Sequence, residues 1–93
     1  MRRYNELLEK AAQAADLSSE PVPGVPLIEL SGQRRVLIEN HGGVIQYGAN
    51  EICVKVRYGH VSVEGSCLEL ARMTKTQLVI VGCVDCIRLC TGR

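Results

Sequence analysis

Apolar and polar residues alternate most clearly in the segment Ile52-Cys53-Val54-Lys55-Val56-Arg57. Its three even positions are apolar, and two of its three odd positions are charged. Because successive side chains of a strand point to opposite faces, the segment predicts a β-strand with one core face and one face in water. The same alternation returns within residues 60–70. There the parity slips by one between Val63 and Leu68, which predicts a β-bulge or a sheet corner near Gly65.

Short apolar runs separated by glycine continue on both sides of this segment. They recur every eight to ten residues, which is typical of an all-β sandwich, roll or partly open barrel. Most of the connectors contain glycine or asparagine, so we expect neighbouring strands to pair antiparallel in a meander. A β-solenoid is the architectural alternative. The seven to eight predicted strands cover residues 27–30, 35–39, 44–47, 52–57, 60–64, 67–71, 77–81 and 84–89.

The N-terminal part of the chain has a different pattern. Residues 1–16 carry apolar side chains at spacings of three and four, which predicts a short amphipathic helix. Residues 17–26 contain all three prolines of the chain and predict an extended linker. The predicted β domain therefore occupies residues 27–93.

Composition narrows the classes of function. A chain of 93 residues predicts one domain, and the absence of Phe and Trp means that Val, Ile and Leu must build its core. With 11 basic and 10 acidic side chains and no basic stripe, we expect no nucleic-acid partner. No apolar run approaches the length of a membrane span, and no secretory signal is evident, so the expected location is cytoplasmic.

The cysteines are the residues that most invite a chemical role. Cys83, Cys86 and Cys90 would suit a zinc site by count, and this metal or thiol module is our alternative function. On a strand, however, Cys86 and Cys90 would lie about 13 Å apart at roughly 3.3 Å per residue. We therefore expect small, partly buried thiols and no cofactor. Candidates for a fourth zinc ligand are Cys53, Cys67 and His60.

Catalytic patterns are absent from the sequence. His41 lies in an Asn-His-Gly-Gly loop and His60 opens a strand, without a nucleophile motif beside either. No glycine pattern indicates a phosphate-binding loop. The sequence predicts a protein that is not an enzyme, has no catalytic residues and takes no small-molecule substrate. A small ligand inside a β-barrel remains an alternative.

Several predicted strands are apolar on both faces, and a domain this small needs something to cover the second face. A second sheet or the N-terminal helix is one candidate cover, and another subunit or a partner protein is the other. The residues that this reasoning selects for interaction are Leu37, Val44, Val79 and Val81, together with His41 of the Asn-His-Gly-Gly loop.

The segment from Ile38 to Ile45, followed by Tyr47, resembles the signature hairpin of the YabP/YqfC family of sporulation proteins, and of its YqfC branch in particular. Weaker matches lie in 27–30, 59–70 and 78–82, so the resemblance covers about residues 22–89. The Asn-His-Gly element carries most of it. The five cysteines are not part of the family pattern, which weakens the metal and redox interpretations.

The resemblance implies a structural or assembly protein of the mother cell in endospore-forming bacteria. Members similar to this branch are thought to act with a companion membrane protein, YqfD, and have no known enzymatic activity. The resemblance thus implies contact with a membrane protein and a peripheral location at the membrane around the forespore. The residues themselves predict a homo-oligomer, formed through strand edges and through the strands that are apolar on both faces. The resemblance assigns no catalytic residue to this chain.

Overall fold

The computed structural model describes residues 24–92. The predicted helix over residues 1–16 and most of the predicted linker over 17–26 lie outside the described residues. Residues 27–92 consist of strands and the connections between them.

The all-β class and the antiparallel pairing are confirmed. Six strands are present among the described residues, because neighbouring apolar runs merge: 60–64 and 67–71 form one strand, and 77–81 and 84–89 form another. The strands are β1 (Leu27–Ser31), β2 (Arg35–Glu39), β3 (Val44–Tyr47), β4 (Glu51–Val56), β5 (Gly59–Met73) and β6 (Gln77–Thr91).

The strands form one hydrogen-bonded sheet in the order β1-β2-β6-β5-β4-β3. This order differs from a simple meander at one place, since β2 pairs with β6 and not with β3. The physical reason lies in the loop that follows β2. The Asn40 N–H donates to the Thr76 carbonyl at 2.7 Å, so the chain leaves β2 beside the β5–β6 turn instead of turning back on itself.

Because β5 and β6 have 15 residues each, they extend through two half-sheets. The first half-sheet consists of β1, β2, residues 77–81 of β6 and residues 69–73 of β5. The second half-sheet consists of β3, β4, residues 59–64 of β5 and residues 86–91 of β6.

Between the two half-sheets the register of β5 against β6 shifts, first at Glu64/Gly65 and again at Ser66/Glu69. The predicted bulge near Gly65 is therefore confirmed. Extra residues in one strand bend it and increase its twist. We call this region of β5 and β6 the bend.

The inner faces of the two half-sheets build a single core. Val, Ile and Leu side chains from both halves belong to one buried cluster, as the composition predicts. The even positions of β4 point into it, which confirms the alternation in that strand. Complete burial of each such side chain contributes about 1.5–3 kcal/mol. The fully buried members are Val36, Ile38, Ile52, Val54, Val61, Val63, Leu78 and Ile80.

Two glycines let the strands approach closely at the bend. A Cβ on Gly65 would lie 1.9 Å from the Cys83 carbonyl oxygen. A Cβ on Gly82 would lie 2.5 Å from the Cys67 carbonyl oxygen, and Gly82 has φ +140°, which other residues rarely adopt. These positions admit no side chain without separating β5 from β6.

Candidate interaction surface

Three of the residues selected from the sequence lie together on the outer face of the first half-sheet. Leu37 and Val79 are register partners, and Val81 follows two residues after Val79 on the same face. Leu37 and Val81 are half-buried, whereas Val79 is only 7% exposed. We call these three residues the outer patch. The structure thus groups them as expected but leaves little of Val79 accessible.

Charged side chains border the outer patch. Glu29 is the register partner of Leu37 on β1, and Arg72 is the partner of Val79 on β5. Arg35 and Glu69 flank Val81 on its two sides. The patch is therefore a narrow apolar strip between charges of both signs.

Val44 does not belong to this surface. It is the register partner of Val54 on β4, and its side chain packs against the buried core. Its neighbour Ile45 lies in the register shift between Val44 and Gln46 and is 59% exposed. The sequence showed that both are apolar, but only the strand pairing decides which of the two faces the core.

His41 is held in place by two hydrogen bonds of its ring. Its Nδ1 accepts from the Gly43 N–H at 3.0 Å, so Nε2 carries the proton and donates to the Thr74 carbonyl oxygen at 2.8 Å. The residue thereby joins the β2–β3 loop to the β5–β6 turn. This placement indicates a positioning role within the fold.

The rest of the Asn-His-Gly-Gly loop makes similar connections. Asn40 has φ 62°, and its side-chain amide donates to the Val25 carbonyl at 2.8 Å. The Gly42 N–H donates to the Lys55 carbonyl at 2.6 Å. A Cβ on Gly42 would lie 3.4 Å from that same oxygen. The loop between β2 and β3 is thus hydrogen-bonded to three other segments of the chain: the residues before β1, strand β4 and the β5–β6 turn.

Four of the eight exposed large apolar residues within residues 24–92 lie on the two strands that end the sheet, and sequence reasoning did not show which strands these would be. β1 and β3 end the sheet, so within residues 24–92 each has a strand neighbour on one side only. Their exposed side chains are 49–59% accessible. Periodicity does not report which strand becomes an edge, because that depends on the strand order. The residues are Leu27 and Leu30 on β1, and Ile45 and Tyr47 on β3.

The outer face of the second half-sheet is polar. The Ser62 hydroxyl donates to Glu51 Oε2 at 2.7 Å, and Ser62 is itself only 3% exposed. The neighbouring Cys53 is buried, and this burial raises the pKa of its thiol. Arg88 and Glu64 form an exposed ion pair, and the hydrogen bond from Arg88 to Glu64 raises the pKa of the guanidinium.

The structure does not bring Cys83, Cys86 and Cys90 together. Cys83 lies at the bend, while Cys86 and Cys90 are register partners of Glu64 and His60 on the second half-sheet. Residues 24–92 contain no group of three or more His, Cys, Asp or Glu side chains that could share a metal ion. The geometry gives the zinc interpretation no support.

A groove of about 620 Å³ lies on the outer surface at the bend. One wall carries Cys83, whose Sγ accepts a hydrogen bond from Arg34 Nη1 at 3.0 Å. Cys67 has φ 53° within the bulged part of β5 and also lines the groove. The remaining lining residues are Arg35, Val81 and Gly82.

Together these features define a small all-β domain made from one bent antiparallel sheet with apolar edge strands. The chain belongs to the YabP family, whose sequence model matches residues 25–92. It is similar to "Uncharacterized protein YqfC" of Bacillus subtilis (strain 168), with 21% identity over 87 residues, which covers 94% of each chain. No solved structure matches it. Membership is consistent with a sporulation-related protein.

Within the described residues, no helix has the length and apolar character needed to cross a membrane.

Proposed function

We propose that this chain is a non-enzymatic structural or assembly factor that acts in the mother cell during endospore formation. It would act by self-association and by contact with a membrane-protein partner that holds it at the membrane around the forespore. Membership of the YabP family and the similarity to YqfC support the sporulation context.

One observation carries the assembly role: the two strands that end the sheet expose large apolar side chains. An edge strand has unpaired N–H and C=O groups that can pair with another chain, and natural proteins protect such edges with charges, proline, β-bulges or very short strands. β3 carries no charge and no proline, and its residues are Val44, Ile45, Gln46 and Tyr47. Its protection is limited to its short length of four residues and to a register shift against β4 between Val44 and Gln46, and neither covers its apolar side chains. An added strand would gain main-chain hydrogen bonds and cover Ile45 and Tyr47.

The outer patch is the second candidate contact. Its narrow apolar strip and mixed charged border are typical of a polar-rimmed protein interface, although its centre is already well covered. We therefore expect β3 to dominate association and the outer patch to contribute less.

Self-association is tested by light scattering of the purified chain over a range of concentrations. We expect Ile45→Lys to lower the average mass of the assembled protein, because it places a charge on the β3 edge. The matched control is Tyr58→Lys, since Tyr58 is 69% exposed but lies in the β4–β5 turn. A wild-type chain that is monomeric at every concentration would overturn the self-association part of the proposal.

The cellular role is tested by deleting the gene and complementing with each variant. The proposal predicts a sporulation defect that wild type and Tyr58→Lys restore and that Ile45→Lys does not. Cross-linking in sporulating cells, followed by identification of the captured membrane protein, tests the partner. If Ile45→Lys and Val81→Lys both sporulate normally and capture the same membrane protein as wild type, neither surface serves the proposed function.

A further inference from the structure

The groove at the bend contains two thiols from different strands. Cys67 of β5 is exposed and Cys83 of β6 is half-buried, and both line the groove. Cys83 is the register partner of Ser66, the residue immediately before Cys67. The two cysteines are therefore diagonal neighbours across the β5–β6 ladder.

This arrangement suits a disulfide. Cys83 and its register partner Ser66 have Cα atoms about 4.5–5.5 Å apart, and Cys67 lies one residue, about 3.3 Å, farther along β5. The Cα atoms of Cys67 and Cys83 are therefore about 6 Å apart, and disulfides join Cα atoms about 4.4–6.8 Å apart. The bulge also places the Cys67 side chain on the groove side of β5. Leu68 is 2% exposed and belongs to the core, while the preceding Cys67 has φ 53° and lines the groove. A regular strand would leave less freedom to turn the Cys67 thiol toward Cys83.

Two arginines give the groove a cationic wall. Arg34 Nη1 lies 3.0 Å from the Cys83 sulfur and fixes its position, and Arg35 lines the same groove. Positive charge at a concave site raises the local concentration of anionic reagents. Small disulfides that carry carboxylates, such as glutathione disulfide, have this charge.

The other three thiols have different surroundings. Cys53 is buried and its thiol has a raised pKa, which disfavours the thiolate that attacks disulfides. Cys86 and Cys90 lie on the second half-sheet beside Glu64 and His60. Along one strand those two thiols are about 13 Å apart, too far for a bond.

We propose that Cys67 and Cys83 form a reversible disulfide site that exchanges with an anionic low-molecular-weight disulfide. One protein thiolate attacks the small disulfide, forms a mixed disulfide and releases the first small thiolate. The second protein thiolate then attacks the protein-bound sulfur, closes the Cys67–Cys83 bond and releases the second small thiolate. The two protons from the protein thiols protonate these products, so two thiols are oxidised and one disulfide is reduced.

The test incubates the folded full-length chain with glutathione disulfide, followed by alkylation and mass spectrometry. We expect an intramolecular bond with a loss of about 2 Da. Trypsin should link peptide 58–72 to peptide 76–88, which contains both Cys83 and Cys86. The Cys86→Ser variant resolves this ambiguity and should keep the cross-link within about twofold, whereas Cys67→Ser and Cys83→Ser should each lower it at least tenfold.

Two further measurements separate a built site from chance oxidation. In denaturant, the same reagent should give several pairings of the five cysteines rather than one. In the folded chain, glutathione disulfide should react faster than neutral hydroxyethyl disulfide, and added salt should reduce that advantage by screening the arginines. The proposal is overturned if Cys86 replaces Cys83 in the cross-link, if only mixed disulfides form, or if salt leaves the ratio of rates unchanged.

Discussion

Replacement of Gly65 by alanine tests whether the close approach of β5 and β6 holds the bend together. The new methyl carbon would lie 1.9 Å from the Cys83 carbonyl oxygen and 3.1 Å from the Val84 Cα, whereas ordinary contact begins at 3.4 Å. The φ angle of Gly65 lies outside the left-handed region, so the perturbation is one of space alone. The obstructing oxygen belongs to the backbone and cannot rotate away as a side chain would.

The cost follows from that overlap. To restore contact, the two strands must separate by more than 1 Å beside Val84, the buried register partner of Gly65, and overpacking of this kind costs about 1–3 kcal/mol. Alanine also restricts the unfolded chain, which stabilises the protein by about 0.4–1 kcal/mol. We expect Gly65→Ala to lower the free energy of unfolding by about 1–2 kcal/mol.

Urea unfolding followed by far-UV circular dichroism measures this difference. Gly92→Ala is the matched control, because its Cβ would meet its nearest atom at 3.6 Å, an ordinary contact, and its φ is also outside the left-handed region. We expect that control to be as stable as wild type or slightly more stable. If Gly65→Ala is as stable as Gly92→Ala, the close approach at the bend does not limit stability and our reasoning is wrong.

Three further changes test other parts of the structure. His41→Ala removes both hydrogen bonds of the ring, at about 0.5–1.5 kcal/mol each, so urea unfolding should show a loss of about 1–3 kcal/mol. Burial raises the pKa of Cys53 above its ordinary 9.0, so the stability it contributes is complete below that pH and is lost as pH rises through the folded value. In Cys53→Ala the free energy of unfolding should fall less steeply with pH than in wild type, and the two slopes should differ by at most about 1.4 kcal/mol per pH unit. Arg88→Gln should leave the urea midpoint unchanged, because water screens its exposed ion pair with Glu64.

Each of these expectations has an outcome that contradicts it. Unchanged stability of His41→Ala would mean that water replaces both bonds without cost. If the stability of Cys53→Ala and of wild type changes in the same way as pH rises above 9.0, the loss comes from a group other than Cys53, since only groups with different folded and unfolded pKa values contribute. A clear shift of the urea midpoint in Arg88→Gln would mean that the exposed ion pair stabilises the fold, which such pairs rarely do.

The sequence predicted local structure better than long-range pairing. Alternation in β4 and the parity slip near Gly65 depend on neighbouring residues, and both expectations are confirmed. The pairing of β2 with β6 depends on contacts about 40 residues apart, such as Val36 with Ile80, which no local pattern reports. Eight apolar runs became six strands because a bulge interrupts the alternation without ending the strand.

The interaction surface was predictable in part for the same reason. Leu37 and Val79 could be selected because their strands are apolar on both faces, and their register pairing brings them together. Val44 was selected from the sequence, but it packs against the core, and the exposed residue is its neighbour Ile45. Pairing with β4 decides which of the two is buried, and the sequence does not show that pairing. His41 could be selected as part of the Asn-His-Gly-Gly loop, but its ring hydrogen bond to Thr74 depends on the β5–β6 turn, which no local pattern places beside it.

The position of β2 between β1 and β6 also has a consequence during synthesis. β1 and β2 are joined by a short turn and can pair as soon as both have left the ribosome, but the other edge of β2 must wait until residues 77–81 are made. Contacts of such wide sequence separation form slowly, and open strand edges aggregate. A nascent chain that stalls before β6 therefore presents the edge of β2 to its neighbours, and a chaperone that shields this edge would raise the yield of folded protein.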